Sequence, residues 1–252
     1  FTDDNLFVDE VQARELFAAL EPLRVPWACQ ASVDVATAPG LVARMARSGC
    51  LSVTIGFESL EPENLRQMGK SWNLQQGRYE ELIRTFREHG IMVYGTFLFG
   101  YDADTTDSFG RCLDFALNNR LFLANFNPLT PTPGTPLYTR LEKEGRLIRA
   151  SWWLHPDYRY GDALFRPRGM APAELTAGCY WARTEFNRLA NTVKRGMDLR
   201  ANARNPRNAA VFTLANWISR REIHRKQGMA LGDDTDLVPV FGDAAEGELA
   251  CT

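Results

Sequence analysis

Two kinds of hydrophobic pattern alternate along the chain. Short runs dense in Val, Ile and Phe are separated by longer runs whose apolar residues recur every three or four positions. The short runs "FTDDNLFV", "VPWACQASVD", "LSVTIGFES", "IMVYGTFLFG" and "LFLANFNPL" read as five strands. Between them the pattern predicts a helix from Glu10 to Leu23 and another from Pro39 that stops at Gly49. A turn of helix follows in "EPENLRQM", then a helix ending at Gly90 and one over "TTDSFGRCLDFALNN". Periodicity fades near Leu147. The next stretch, "SWWLHPDYRYGDALFRP", is aromatic and reads as a long packed loop, with Trp152, Trp153, Tyr158 and Tyr160 as core. Helices are predicted at about Pro172 to Lys194 and Asn208 to Gly228. The expected organisation is a core over 1–147, an irregular and helical segment over 148–230, and an acidic, disordered tail over 231–252.

Strand then helix, repeated, predicts βαβ units and a parallel sheet, either doubly wound or curved into a barrel. No GxGxxG or Walker pattern follows the first strand, which weakens the nucleotide-binding open sheets. In both architectures function gathers where strands end at their C-terminal edge. The residues leaving the strands are therefore the ones to weigh: Asp3, Asp4 and Asn5; Gln30 and Ser32; Glu58 and Ser59; Gly100 with Tyr101 and Asp102; and Asn127.

Composition narrows the class. Lys plus Arg number 29 against 31 Asp plus Glu, so no global charge draws the chain to nucleic acid. No apolar run is long enough to span a bilayer and no secretory signal is visible, which predicts a cytoplasmic protein. Cys29, Cys50, Cys112, Cys179 and Cys251 are scattered, as are the three histidines, so no metal-ligand spacing occurs. The chain opens on Phe1, inside a strand-like run, and this is expected to be a cut edge with more protein upstream.

The strand exits are rich in carboxylates and amides, groups that accept from ammonium or hydroxyl donors. Gly95 and Gly100 bracket the fourth run and would let a flat ligand lie against bare backbone. The competing reading is structural: Asp104 or Thr105 would cap the next helix, Glu58 would do the same for its own, and Gln30 and Asn127 would be satisfied core groups.

The order of motifs resembles the radical S-adenosylmethionine (radical SAM) superfamily, most of all its branch bearing a cobalamin-binding domain. The pieces are "FTDDNLF", "IGFESL", "GTFLFGYDADT", "PTPGTPLY" with the following "EKEGRL", and "YRYGDALFRP". The resemblance implies an α/β fold, a partial (β/α) TIM-like barrel of parallel strands followed by a C-terminal helical extension. It implies S-adenosylmethionine (SAM) and a [4Fe–4S] cluster as cofactors, with cobalamin in the branch it most resembles. No CxxxCxxC occurs in the sequence, so the cluster ligands would lie outside it, and the fragment alone is expected to be inactive. By position, Asp3, Asp4 and Asn5 would meet the amino group of the methionine moiety, and Glu58 and Ser59 the ribose or methionine end. Gly95 to Gly100 would face the adenine, Gln30 and Ser32 would touch SAM or substrate, and Asn127 would close the site. The implied activity is generation of a 5′-deoxyadenosyl radical for C–H functionalisation, including cobalamin-dependent methyl transfer to a small-molecule or lipid-like substrate, with an electron donor as partner. The alternatives are oxidation, rearrangement or methylthiolation without cobalamin, or a non-catalytic barrel module.

Overall fold

The computed structural model describes residues 1–3, 5–33, 35, 38, 40–70 and 79–230; Asp4, Cys251 and the whole 231–252 tail lie outside the described residues. Four strands, β1 (Trp27–Ala31), β2 (Cys50–Glu58), β3 (Met92–Phe99) and β4 (Leu123–Pro128), pair in parallel in the order of the chain. Right-handed crossovers that always advance in the same direction put every crossover helix on one face of the sheet. That layering is a partial (β/α) barrel; a doubly wound sheet would need the order to reverse.

The helices are α1 (Glu10–Leu20), α2 (Leu41–Arg47), α3 (Pro62–Gln67), α4 (Tyr79–Glu88), α5 (Asp107–Asn118), α6 (Pro136–Lys143), α7 (Pro172–Phe186), α8 (Leu189–Gly196) and α9 (Pro206–Lys226). Every second strand residue faces them. Cys29, Val53, Ile55, Phe57, Val93, Phe97, Phe99 and Phe126 are buried against Phe17, Met45, Ile83, Phe86, Phe109 and Leu113. Phe57, Phe97 and Phe126 stack across three adjacent strands at 5.6 and 5.4 Å between ring centroids. Offset stacks of this kind add about 0.5–1.5 kcal/mol per pair beyond area burial. Helix α7 continues the layer over β4, with Leu175, Cys179, Ala182 and Phe186 in the same core.

The strand expected at the start does not form among the described residues of 1–8. The Phe1 amino group donates to Ala28 O at 2.9 Å and Leu6 N to Gln30 O at 3.4 Å, so the segment runs beside β1. Pairing stops there because the Asn5 carboxamide accepts from Phe7 N and turns the chain, and Asp9 then caps α1 through Val11 N and Gln12 N. The helix expected from Pro172 to Lys194 breaks at Asn187, whose side chain donates to Arg183 O, and Arg188 turns extended. Trp152 touches Trp153 and Tyr158 at the surface rather than in the core, and Tyr160 lies under the Arg183 guanidinium instead, with Trp153 36% and Tyr160 41% exposed.

Helices α8 and α9 pack under the N-terminal edge of the sheet, where Phe212 joins Met92 and Phe122. Arg195 pins them there. Its guanidinium is fully buried, donates to Leu121 O, Phe122 O, Phe186 O and Asn216 Oδ1, and lies 3.7 Å from the centroid of the Phe186 ring. Burial lowers its pKa from the usual 12.5 to about 9, so it remains a cation at neutral pH.

Candidate functional site

The inner face of the sheet, opposite the helices, is polar. The alternation that buries Val53, Ile55 and Phe57 turns Thr54, Gly56 and Glu58 the other way. In β3 and β4 it does the same for Tyr94, Thr96, Asn125 and Asn127. Register aligns Gly56, Thr96 and Asn125 in one row, and Leu98 with Asn127 in the next. On β1, Gln30 lies on this face and is exposed. Ser32 follows by one alternation and accepts from Asn5 Nδ2 at 3.2 Å, which joins two of the expected site residues. Asp3 is exposed.

Glu58 is the distinctive residue at the C-terminal end of this face. Its backbone is left-handed at φ 63°, a conformation that costs a non-glycine residue about 1–3 kcal/mol. The side chain folds back over Gly56: a Cβ there would stand 2.6 Å from Glu58 Oε1. Lys70 Nζ donates to the same carboxylate oxygen at 2.6 Å, and the Glu58 side chain is 14% exposed. Glu58 caps no helix. The N-cap of α3 is Glu61, and the free Glu61 N–H goes to Ser59 Oγ.

Ser59 is buried, 3% exposed, and it opens a hydrogen-bonded network. Asn64 Nδ2 donates to Ser59 Oγ at 3.2 Å and to Asp104 Oδ1 at 2.8 Å, while Ala103 N donates to Asn64 Oδ1. Asp104 also accepts from Gly100 N and Tyr101 N, so it ties the β3 exit to the β2 exit instead of capping α5. The N-cap of α5 is Thr106, without a side-chain bond. Burial raises the Asp104 carboxyl from 3.8 to about 6 against these hydrogen bonds. A carboxyl that holds its proton to higher pH when folded contributes less stability as pH rises. We expect the wild-type chain to lose stability relative to Asp104→Asn as pH rises from 3.8 to about 6. A stability difference that stays flat across that window in denaturant titrations would show that the carboxyl does not titrate there.

The two glycines serve packing. A Cβ on Gly95 would meet Leu121 at 2.8 Å and Phe57 at 3.0 Å, and one on Gly100, whose φ is 110°, would meet Phe165 at 2.9 Å. That side of β3 is taken up by Leu121, Phe57, Phe165 and Leu175, so the missing side chains leave no room there for a flat ligand. Around the mouth, Tyr101 lies within electrostatic reach of Arg140 and Glu58, with its hydroxyl pKa pushed up chiefly by burial. Asp102 is taken up by Arg140 and Arg146, each at 2.9 Å, and Arg168 at 3.5 Å, which fastens α6 and the following segment to the β3 exit.

Sequence reasoning missed Gly56, Lys70, Thr54, Thr96 and Asn125. Three of these, Thr54, Gly56 and Asn125, were signalled by strict alternation in "SVTIGFE" and "ANFN", which a strand buried on both faces would not show. Lys70 had no such signal, because it reaches Glu58 from the loop after α3.

A [4Fe–4S] cluster does not fit the residues present. Among the described residues no three His, Cys, Asp or Glu side chains stand together. Cys29, Cys50, Cys112 and Cys179 are buried, and burial pushes the Cys112 thiol up to about 12 and raises those of Cys50 and Cys179. The polar inner face, by contrast, offers the acceptors and amides that an amino acid and a ribose require.

No family model matches the chain. It is 34% identical over 175 residues to bacteriochlorophyllide d C-12(1)-methyltransferase of Chlorobaculum tepidum, covering 69% of this chain and 37% of that protein. It is 29% identical over 158 residues to hopanoid C-2 methylase of Rhodopseudomonas palustris, covering 59% of this chain and 29% of that protein. The chain thus spans about a third of the length of these curated relatives. Among solved structures, the radical S-adenosylmethionine methyltransferase TsrM of Kitasatospora setae, with tryptophan and a SAM analog bound, shares the fold. Its TM-score is 0.50 at 18% identity, over 89% of this chain and 52% of that one. Relatives and fold agree with the resemblance in motif order: the chain is similar to curated methyltransferases and shares the fold of a radical SAM methyltransferase.

Proposed function

We propose that the chain forms the SAM-facing wall of a radical SAM methyltransferase that functionalises a C–H bond of a small, lipid-like substrate. The supporting observation is Glu58, a carboxylate held in a strained backbone at the mouth of an inner face that carries Thr54, Thr96, Asn125 and Asn127. Its free acceptor capacity suits an ammonium or a ribose hydroxyl, with Lys70 fixing its direction. Thr96, Asn125 and Asn127 supply donors and acceptors along the neighbouring strands, and the Asn5–Ser32 pair borders the face beyond β1. Bound SAM supplies the group transferred or used to activate the substrate; this chain's residues orient it and keep water from its reactive end. The cluster, and cobalamin where it takes part, would be held by residues outside those described, and a separate electron donor would act as partner. That a relative is named as a hopanoid methylase supports a lipid-like substrate.

The test uses the full-length protein, reduced under anaerobic conditions and given SAM labelled in its methyl group. Release of 5′-deoxyadenosine and transfer of the label to a lipid acceptor are expected. SAM binding without any 5′-deoxyadenosine under those conditions would reject the reading.

A further inference from the structure

Helices α8 and α9 carry a surface that the SAM-facing wall does not use. From Arg188 to Lys226 the chain has ten Lys and Arg against two acidic residues, Asp198 and Glu222, a local charge of +8 in a chain whose total is −2. Both acids are committed: Asp198 pairs with Arg87, and Glu222 with Arg225 and Lys226. The cationic excess therefore stays on the surface, apart from the buried Arg195.

Large apolar side chains share this surface. On α8 and its C-cap, Leu189, Val193 and Met197 recur every fourth residue and are 62%, 54% and 63% exposed. On α9, Trp217 is 56% exposed beside Leu214 and Ile218, both also exposed. An apolar groove of about 330 Å³ runs between the helices, with Leu189 and Val193 on one side and Trp217 and Arg220 on the other. The Arg221 guanidinium lies 4.9 Å from the centroid of the Trp217 ring.

A nucleic acid would use the cations but has no use for exposed aliphatic side chains. An apolar protein partner would use the groove but not the excess charge. A bilayer with anionic headgroups uses both, because its interface accommodates Trp and aliphatic groups while arginines reach headgroup phosphates. We propose that the α8–α9 face docks on an anionic lipid surface, lying in the interfacial plane. No helix among the described residues is long and apolar enough to cross a membrane. Docking there leaves the polar mouth at the opposite, C-terminal edge of the sheet uncovered, and it does not depend on SAM.

The experiment is co-sedimentation of the full-length protein with vesicles of phosphatidylcholine alone, or of phosphatidylcholine and phosphatidylglycerol in equal parts, at low salt. Binding is expected only to the anionic vesicles and should be released by added salt. Arg220→Glu with Arg221→Glu should weaken it by at least about tenfold. Trp217→Ser should weaken it by about tenfold as well, with thermal unfolding unchanged in both variants. Three results would overturn the proposal. The first is no binding to anionic vesicles. The second is binding weakened by the charge variant but untouched by Trp217→Ser, which would mean general adhesion to polyanions. The third is self-association abolished by Trp217→Ser without vesicle binding, which would make the face an interface between copies of this chain.

Discussion

Arg195→Leu is expected to destabilise the chain by about 3–5 kcal/mol, the cost of breaking a buried cationic network. The substitution removes the Arg195 donors to Leu121 O, Phe122 O, Phe186 O and Asn216 Oδ1 at once, leaving Phe122 O only its bond from Asn216 Nδ2, and leucine offers nothing in return. Each acceptor left buried and unpaired costs about 1–3 kcal/mol, which relaxation of α8 and α9 would partly recover. Arg195→Lys keeps the charge but not the planar fork that serves several carbonyls, so it should fall between leucine and wild type. Urea unfolding of the three proteins decides the matter. A loss below about 1 kcal/mol for leucine would mean that the apolar packing of Phe212 with Met92 and Phe122, and neither the hydrogen bonds nor the stack on Phe186, holds the helices in place.

The second large effect concerns binding. In the full-length protein, Glu58→Gln should weaken SAM binding by about ten- to a hundredfold, the loss of one charge-assisted hydrogen bond. Glutamine keeps the shape that lies over Gly56 and can still accept from Lys70, so folding should change by less than about 1 kcal/mol. Calorimetric titration with SAM and thermal unfolding on the same variant separate the two possible roles. Reduced stability with unchanged affinity would make the Glu58–Lys70 pair a structural strut and remove Glu58 from the site.

How far the residues themselves disclosed this arrangement differs between its two layers. The helical layer was legible, because periods of 3.6 and 2 are written in side-chain polarity and the core depends on them. The first strand was misread because "FTDDNLF" has strand-like ends but carries Asn5, whose side chain ends the pairing by bonding Phe7 N. Glu58 was legible as an acid leaving a strand, yet its left-handed backbone was not, since nothing in the letters "GFES" distinguishes φ 63° from an extended strand end. Gly95 and Gly100 misled for a related reason. A glycine reports that space is needed, while only the neighbours tell who occupies it, and here those are Leu121, Phe57, Phe165 and Leu175. Ser59 and Asp104 are joined through Asn64, a residue between them in sequence that carries no motif of its own.

The Ser59–Asn64–Asp104 network also bears on how this protein could diverge. It couples the exits of β2 and β3 from behind, without using any inner-face side chain except through the backbone that Glu58 shares with Ser59. The mouth is thus braced by residues buried behind it, and the polar residues of the inner face carry little of the core. Thr54, Thr96, Asn125 and Asn127 could be exchanged as a group at small cost to packing. Selection could therefore retune what the wall recognises by drift through neutral intermediates, while the scaffold beneath it stays the same.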